Sequence, residues 1–166
     1  MQYLKDKTCL VSTFSFSRQI LNAAKQRINK MSSTRLLIYL MSIKDLRKNN
    51  TMAHILEALD DGKDIGHYGR LTFVMVAQYF ADEEEIVTQL KKDKDFTEEE
   101  AKSLYEQVKS KEYSPPSRDS LLEWQSQQDF QMVTDPEDPD AGNVYQDLTF
   151  PERVYDSISS YNQKKD

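Results

Sequence analysis

Residues 82–110 read DEEEIVTQLKKDKDFTEEEAKSLYEQVKS, and they decide the fold class. Asp82 stands three residues before Glu85, and Thr97 three before Glu100. Both pairs have capping-box spacing, in which a side chain accepts from the third N–H of a new helix. After the first start, Ile86, Val87 and Leu90 recur at helical spacing, and Lys91 and Lys92 suit the negative helix end. After the second, Ala101, Leu104, Tyr105 and Val108 form one apolar face. Phe96 and Ala101 occupy the positions of a hydrophobic staple.

Toward the C-terminus, Tyr113-Ser-Pro-Pro-Ser117 forbids continued helix. Ser117 is placed to cap a helix bearing Leu121, Leu122 and Trp124. Asp129 to Leu148 reads as a long Pro/Asp-rich loop, and Phe150-Pro151 opens a last helix with Val154, Tyr155, Ile158 and Tyr161. Toward the N-terminus, Leu71 to Phe80 is apolar on almost every face, which predicts the central helix of a bundle, starting near Gly66. Thr51 is the expected cap of a short helix with Met52, Ile55, Leu56 and Leu59 inward and Gly62 as its left-handed stop. Arg35 to Leu46 and Ser17 to Lys30 are also read as helices, and Thr8 to Phe16 has room for a short strand. The expectation is an all-α fold: a single bundle of about seven helices, with at most one short N-terminal strand.

Charge divides the chain. Residues 1–50 carry ten Lys/Arg and two Asp/Glu, whereas residues 51–166 carry twelve and twenty-six. The sequence is therefore read as a basic N-terminal helical segment, 1–50, joined to a helical bundle, 51–166. A basic segment suits a polyanion such as single-stranded DNA; the plainer readings are that the two halves of the chain attract each other, or that a partner protein is acidic. Arg18, Lys25, Arg27, Lys30 and Arg35 are the candidate DNA contacts. Met1 is consistent with a complete small protein. Cys9 is the one cysteine, so neither an internal disulfide nor a thiolate cluster can form. No leader is visible, and the most apolar run, Leu36 to Ile43, is far shorter than the ~20 residues of a membrane span. A cytoplasmic protein is expected.

The chemistry concentrates in Lys63-Asp-Ile-Gly-His-Tyr-Gly-Arg70. Two glycines stand beside a histidine and an arginine where a buried helix begins. Helix N-termini present free N–H groups and a positive dipole end, so a phosphate can sit there with Arg70, His67 and Lys63 as further donors. The alternative is that Gly66 and Gly69 permit tight packing and His67 caps the helix. Neither His54 nor His67 has a His or Cys at metal-ligand spacing, and no nucleophile–base pair, P-loop or dinucleotide fingerprint occurs. Asp138-Pro-Asp140 is read as a solvated turn rather than a calcium loop.

One order of motifs stands out: Leu59, Gly62, Gly66-His67-x-Gly69-Arg70, Phe80, Glu84-Glu85-Ile86, Asp93-x-Asp95-Phe96, and Tyr113-x-Pro115-Pro116-Ser117. This order resembles the C-terminal domain of the archaeal and eukaryotic DNA primase large subunit, over residues about 52–161. In that family four cysteines hold an iron–sulfur cluster. Here the position after Pro-Pro-Ser is Arg118, and no cysteine occurs beyond Cys9. The chain therefore looks most like the cluster-free relatives, the archaeal accessory primase subunit PriX and the helix-bundle domain of plasmid primase–polymerases, and no cofactor is expected.

The resemblance implies a non-catalytic primase subunit or accessory domain. It would hold the initiating nucleoside triphosphate through His67, Arg70 and Lys63 against a single-stranded DNA template. A separate primase or primase–polymerase subunit would supply catalysis. The other reading is a helical protein-interaction module of a replication or mobile-element system without a nucleotide site.

Overall fold

A computed structural model describes residues 42–163, with side chains through Ile158. A 3-10 helix, Ile43–Lys48, leads into α1, Asn50–Asp60. Then follow α2 (Gly66–Ala77), α3 (Glu83–Leu90), α4 (Glu98–Ser110), α5 (Arg118–Gln125), the short α6 (Val144–Asp147) and α7 (Glu152–Gln163). No strand occurs among the described residues, and the fold is an all-α bundle. The helix read over Ser17–Lys30 and the strand read over Thr8–Phe16 lie outside them. None of the described helices is long and apolar enough to cross a membrane.

The helix starts follow side-chain capping closely. Asp82 Oδ1 accepts from Glu85 N at 2.9 Å, and Ser117 Oγ from Ser120 N at 3.2 Å. Thr97 and Glu100 complete a reciprocal capping box. Each such cap contributes about 1 kcal/mol. One cap differs from expectation. Asn49, not Thr51, caps α1, accepting from Met52 N at 3.2 Å. Its amide also donates to Asn143 O (3.0 Å) and Asp147 Oδ2 (3.3 Å), which ties the start of α1 to α6.

Of the helix expected over Arg35–Leu46, residues 35–41 lie outside the described residues, and its end forms the 3-10 helix. Ser42 and Asp45 form its capping box, and Ile43 and Leu46, three apart, both point into the core. Residues 42–50, counted with the basic segment in the sequence, thus pack onto the body.

α2 is the central helix. Thr72, Phe73, Val74, Val76 and Ala77 are fully buried, and α1, α3, α4 and α5 all touch it. Phe80, Met52, Ile55, Leu59, Ile86, Leu90 and Leu121 close the core around it. Burying one such side chain contributes roughly 1.5–3 kcal/mol.

The loop from Asp129 to Asn143 is anchored at both ends. Met132 and Val133 are buried, and Val133 N donates to Gln125 Oε1 at 2.9 Å. Arg118 grips the far side: Nε donates to Ala141 O (2.9 Å), and Nη2 to Pro136 O (2.7 Å) and Asp138 O (3.1 Å). Asp138 and Asp140 are exposed, as a solvated turn requires. Arg118→Ala is expected to cost about 1–2 kcal/mol through these lost bonds. Amide exchange should quicken at Ala141 and Asn143 while α2 stays protected. Unchanged exchange in the loop would mean that Arg118 does not hold it.

Candidate functional site

The segment between α1 and α2 is shaped by its glycines. Gly62 takes φ +68°, the left-handed stop expected after α1, and Lys63 N returns to Ala58 O at 2.9 Å. Gly66 takes φ +69°, and a Cβ there would lie 2.7 Å from Gln128 Oε1. Gly69 is buried against Ile65, whose Cβ would stand 3.1 Å from an added methyl. Close packing is therefore one role of this Gly-x-x-Gly spacing. His67 does not cap α2. The N-cap residue, Ile65, offers no side-chain bond, and Asp64 Oδ1 instead accepts from Gly66 N at 2.8 Å.

Arg70 lies at the centre of this segment and is less open than its place near the start of α2 suggests, with a side chain only 13% exposed. Nε donates to Asp93 Oδ2 at 2.9 Å, and Nη2 to Asp64 Oδ1 at 2.8 Å. The guanidinium carbon stands 4.6 Å from the centre of the Phe96 ring. Asp93 itself is buried. It also accepts from Ile65 N (3.2 Å) and Asp95 N (3.0 Å). Burial pushes its carboxyl up. The Arg70 hydrogen bond, the two backbone N–H groups and the guanidinium charge outweigh that and hold it below its ordinary value. Asp64, by contrast, is 48% exposed.

His67 is exposed and meets the Tyr68 ring edge-on at 5.3 Å. Lys63 is exposed and paired with Asp61 at 2.9 Å. His67 and Arg70 thus stand three residues apart near the start of α2, while Lys63 reaches back toward the end of α1. Arg18, Lys25, Arg27, Lys30 and Arg35 lie outside the described residues. So does Cys9. Among the described residues, no group of three His, Cys, Asp or Glu could hold a metal ion.

Three further residues complete the segment: Asp93, Phe96 and Gln128. Gln128 accepts from Tyr68 N (3.0 Å) and donates to Ile65 O (3.3 Å) and Phe130 O (2.9 Å). The sequence pairs none of these with Arg70, because no local periodicity links positions so far apart. Only the order Asp93-x-Asp95-Phe96 hinted at them.

A separate open groove of about 520 Å³ runs between α3 and α4, lined by Glu83, Glu84, Val87, Thr88, Lys91, Glu98 and Lys102. Lys102 and Lys91 both bond Glu98 and hold its carboxyl down to about 2. Residues 42–163 carry thirteen Lys/Arg and twenty-six Asp/Glu, so the described body is strongly acidic. Compared with known proteins, the chain matches no family model, no curated protein and no solved structure.

Proposed function

We propose that this chain is a non-catalytic accessory subunit of a DNA-priming system, one that holds the initiating nucleoside triphosphate. The observation that carries the reading is the mounting of Arg70. Its Nε is fixed by the buried Asp93, so the guanidinium is oriented in advance. Its Nη2 faces Asp64, an exposed carboxylate that a phosphate can replace on the same nitrogen. His67, exposed three residues earlier, adds a second donor, and Lys63 a flexible third. The acidic body does not favour template DNA, so that contact falls to Arg18, Lys25, Arg27, Lys30 and Arg35 in the basic segment. Catalysis belongs to a partner primase or primase–polymerase subunit.

The test compares a nucleoside triphosphate with its nucleoside by calorimetry. The triphosphate should bind, and the nucleoside should not. Arg70→Lys should weaken binding about tenfold, because an ammonium cannot keep Asp93 and bind phosphate through the same fork. His67→Ala should weaken it less and leave melting unchanged, since the ring is exposed. Equal binding of the two ligands, or indifference to both substitutions, would remove the nucleotide site.

The second reading, a protein-interaction module of a replication or mobile-element system, is favoured by one observation: Arg70 and Lys63 are both already paired with carboxylates of the chain. Charge reversal at Arg18, Lys25 and Arg27 distinguishes the template role. It should weaken single-stranded DNA binding and flatten its salt dependence. An unchanged salt slope assigns that segment to protein docking.

A further inference from the structure

We infer that Asp64 is a built-in competitor for the phosphate: its carboxylate closes the Arg70 site in the free protein and must leave before a phosphate enters. This regulation rests on the nucleotide reading of the site. A single oxygen, Asp64 Oδ1, accepts from Arg70 Nη2 and from Gly66 N, both at 2.8 Å. One donor is a guanidinium N–H and the other is the backbone N–H of the first residue of α2. Those are the two kinds of donor that hold an anion at a helix start. Asp64 Oδ1 thus stands where a phosphate oxygen would accept from both. A backbone N–H has one hydrogen to give, so Gly66 N cannot serve a phosphate while Asp64 stays.

The two carboxylates on Arg70 are not equivalent. The Asp93 side chain is fully buried and accepts two backbone N–H groups besides Arg70 Nε, so its departure would strand buried donors. The Asp64 side chain is half-exposed. An exposed ion pair of this kind is weak, because water solvates the carboxylate as it leaves. Opening therefore falls to Asp64 alone. Asp93 keeps Nε, the guanidinium stays over Phe96, and Nη2 and Gly66 N are uncovered together. The closed state lowers apparent affinity in proportion to the fraction of molecules that are open. It also selects among ligands. A terminal phosphoryl group carries more charge than Asp64 and displaces it, whereas a carboxylate ligand offers Arg70 nothing that Asp64 does not already supply.

Asp64→Asn keeps an oxygen for Gly66 N and removes the charge that holds Arg70. By calorimetry on the full chain, ATP should bind this variant about fivefold more tightly than wild type, the factor that an exposed ion pair is worth. Adenosine should bind neither. Glu57→Gln, at an exposed position of α1, removes the same charge and leaves both Arg70 pairs in place, so its affinity for ATP should match wild type. In the wild type, ATP should shift the Gly66 amide resonance, while the Arg70 Nε–H stays protected at saturation. ATP binding by wild type with no gain in Asp64→Asn, or with an equal gain in Glu57→Gln, would overturn the competitor role and leave the nucleotide reading standing. Binding by Asp64→Asn alone would support the role in its strongest form. No ATP binding by either protein would remove the nucleotide site and the competitor with it.

Discussion

Asp93→Asn is expected to destabilise the protein by about 3 kcal/mol at neutral pH, the cost of removing one partner from a buried ion pair. Asp93 is 1% exposed and accepts three hydrogen bonds, from Arg70 Nε, Ile65 N and Asp95 N. Asparagine can retain an oxygen for one backbone donor. It has no charge for Arg70, which is left with Asp64 at the surface. The pH dependence has a definite sign. The folded-state pKa of Asp93 is depressed below the ordinary 3.8. Its stabilisation is therefore fully present above the ordinary carboxylate range and is lost as pH falls through the folded-state value. Urea unfolding at pH 7 and near pH 3 should show the gap between wild type and Asp93→Asn narrowing in acid. A gap below about 1 kcal/mol at pH 7, or one constant with pH, would show that Asp93 is not the hub of the segment.

The helical body was legible because capping and periodicity are local signals. Asp82, Thr97 and Ser117 start helices where their spacing says they should, and Gly62 ends one. The cap of α1 was misplaced by two positions. Asn49 is at least as strong a cap as Thr51, and its amide is held by α6, a tertiary contact ninety-four residues away in sequence. The short α6 also went unread, since four residues within a Pro/Asp-rich stretch carry no period.

The segment around Arg70 was legible only in part. Its residues were found as a contiguous run, from the mixture of glycine, cation and histidine at the head of an apolar helix. The state of those residues was not. Arg70 was expected as a phosphate donor at a helix N-terminus, and the structure sets it between Asp64, Asp93 and Phe96. Asp64 is close in sequence, but Asp93 is twenty-three residues away and meets Arg70 only because the turn after α3 folds back on α2. The two readings of the glycines, close packing or ligand approach, were left open. Packing is now visible at Gly66 and Gly69, whose added Cβ atoms would meet Gln128 and Ile65.

Gly66→Ala is expected to cost about 3 kcal/mol, from two separate sources. The backbone at Gly66 is left-handed, φ +69°, and a residue with a Cβ is disfavoured there by roughly 1–2 kcal/mol. The methyl would also stand 2.7 Å from Gln128 Oε1 and 3.1 Å from its Cδ. Gln128 cannot retreat freely, because it accepts from Tyr68 N and donates to Ile65 O and Phe130 O. Displacing it strands the partly buried Tyr68 N–H, at a further cost of about 1–2 kcal/mol. A double-mutant cycle separates the two sources. Gln128→Ala alone loses the same hydrogen bonds, but in the double variant the clash is gone, and only the left-handed backbone adds to that loss. The double variant should therefore be less destabilised than the sum of the singles, by about 1 kcal/mol or more. Strict additivity would mean that Gln128 yields without consequence, and that Gly66 is required for its backbone conformation alone.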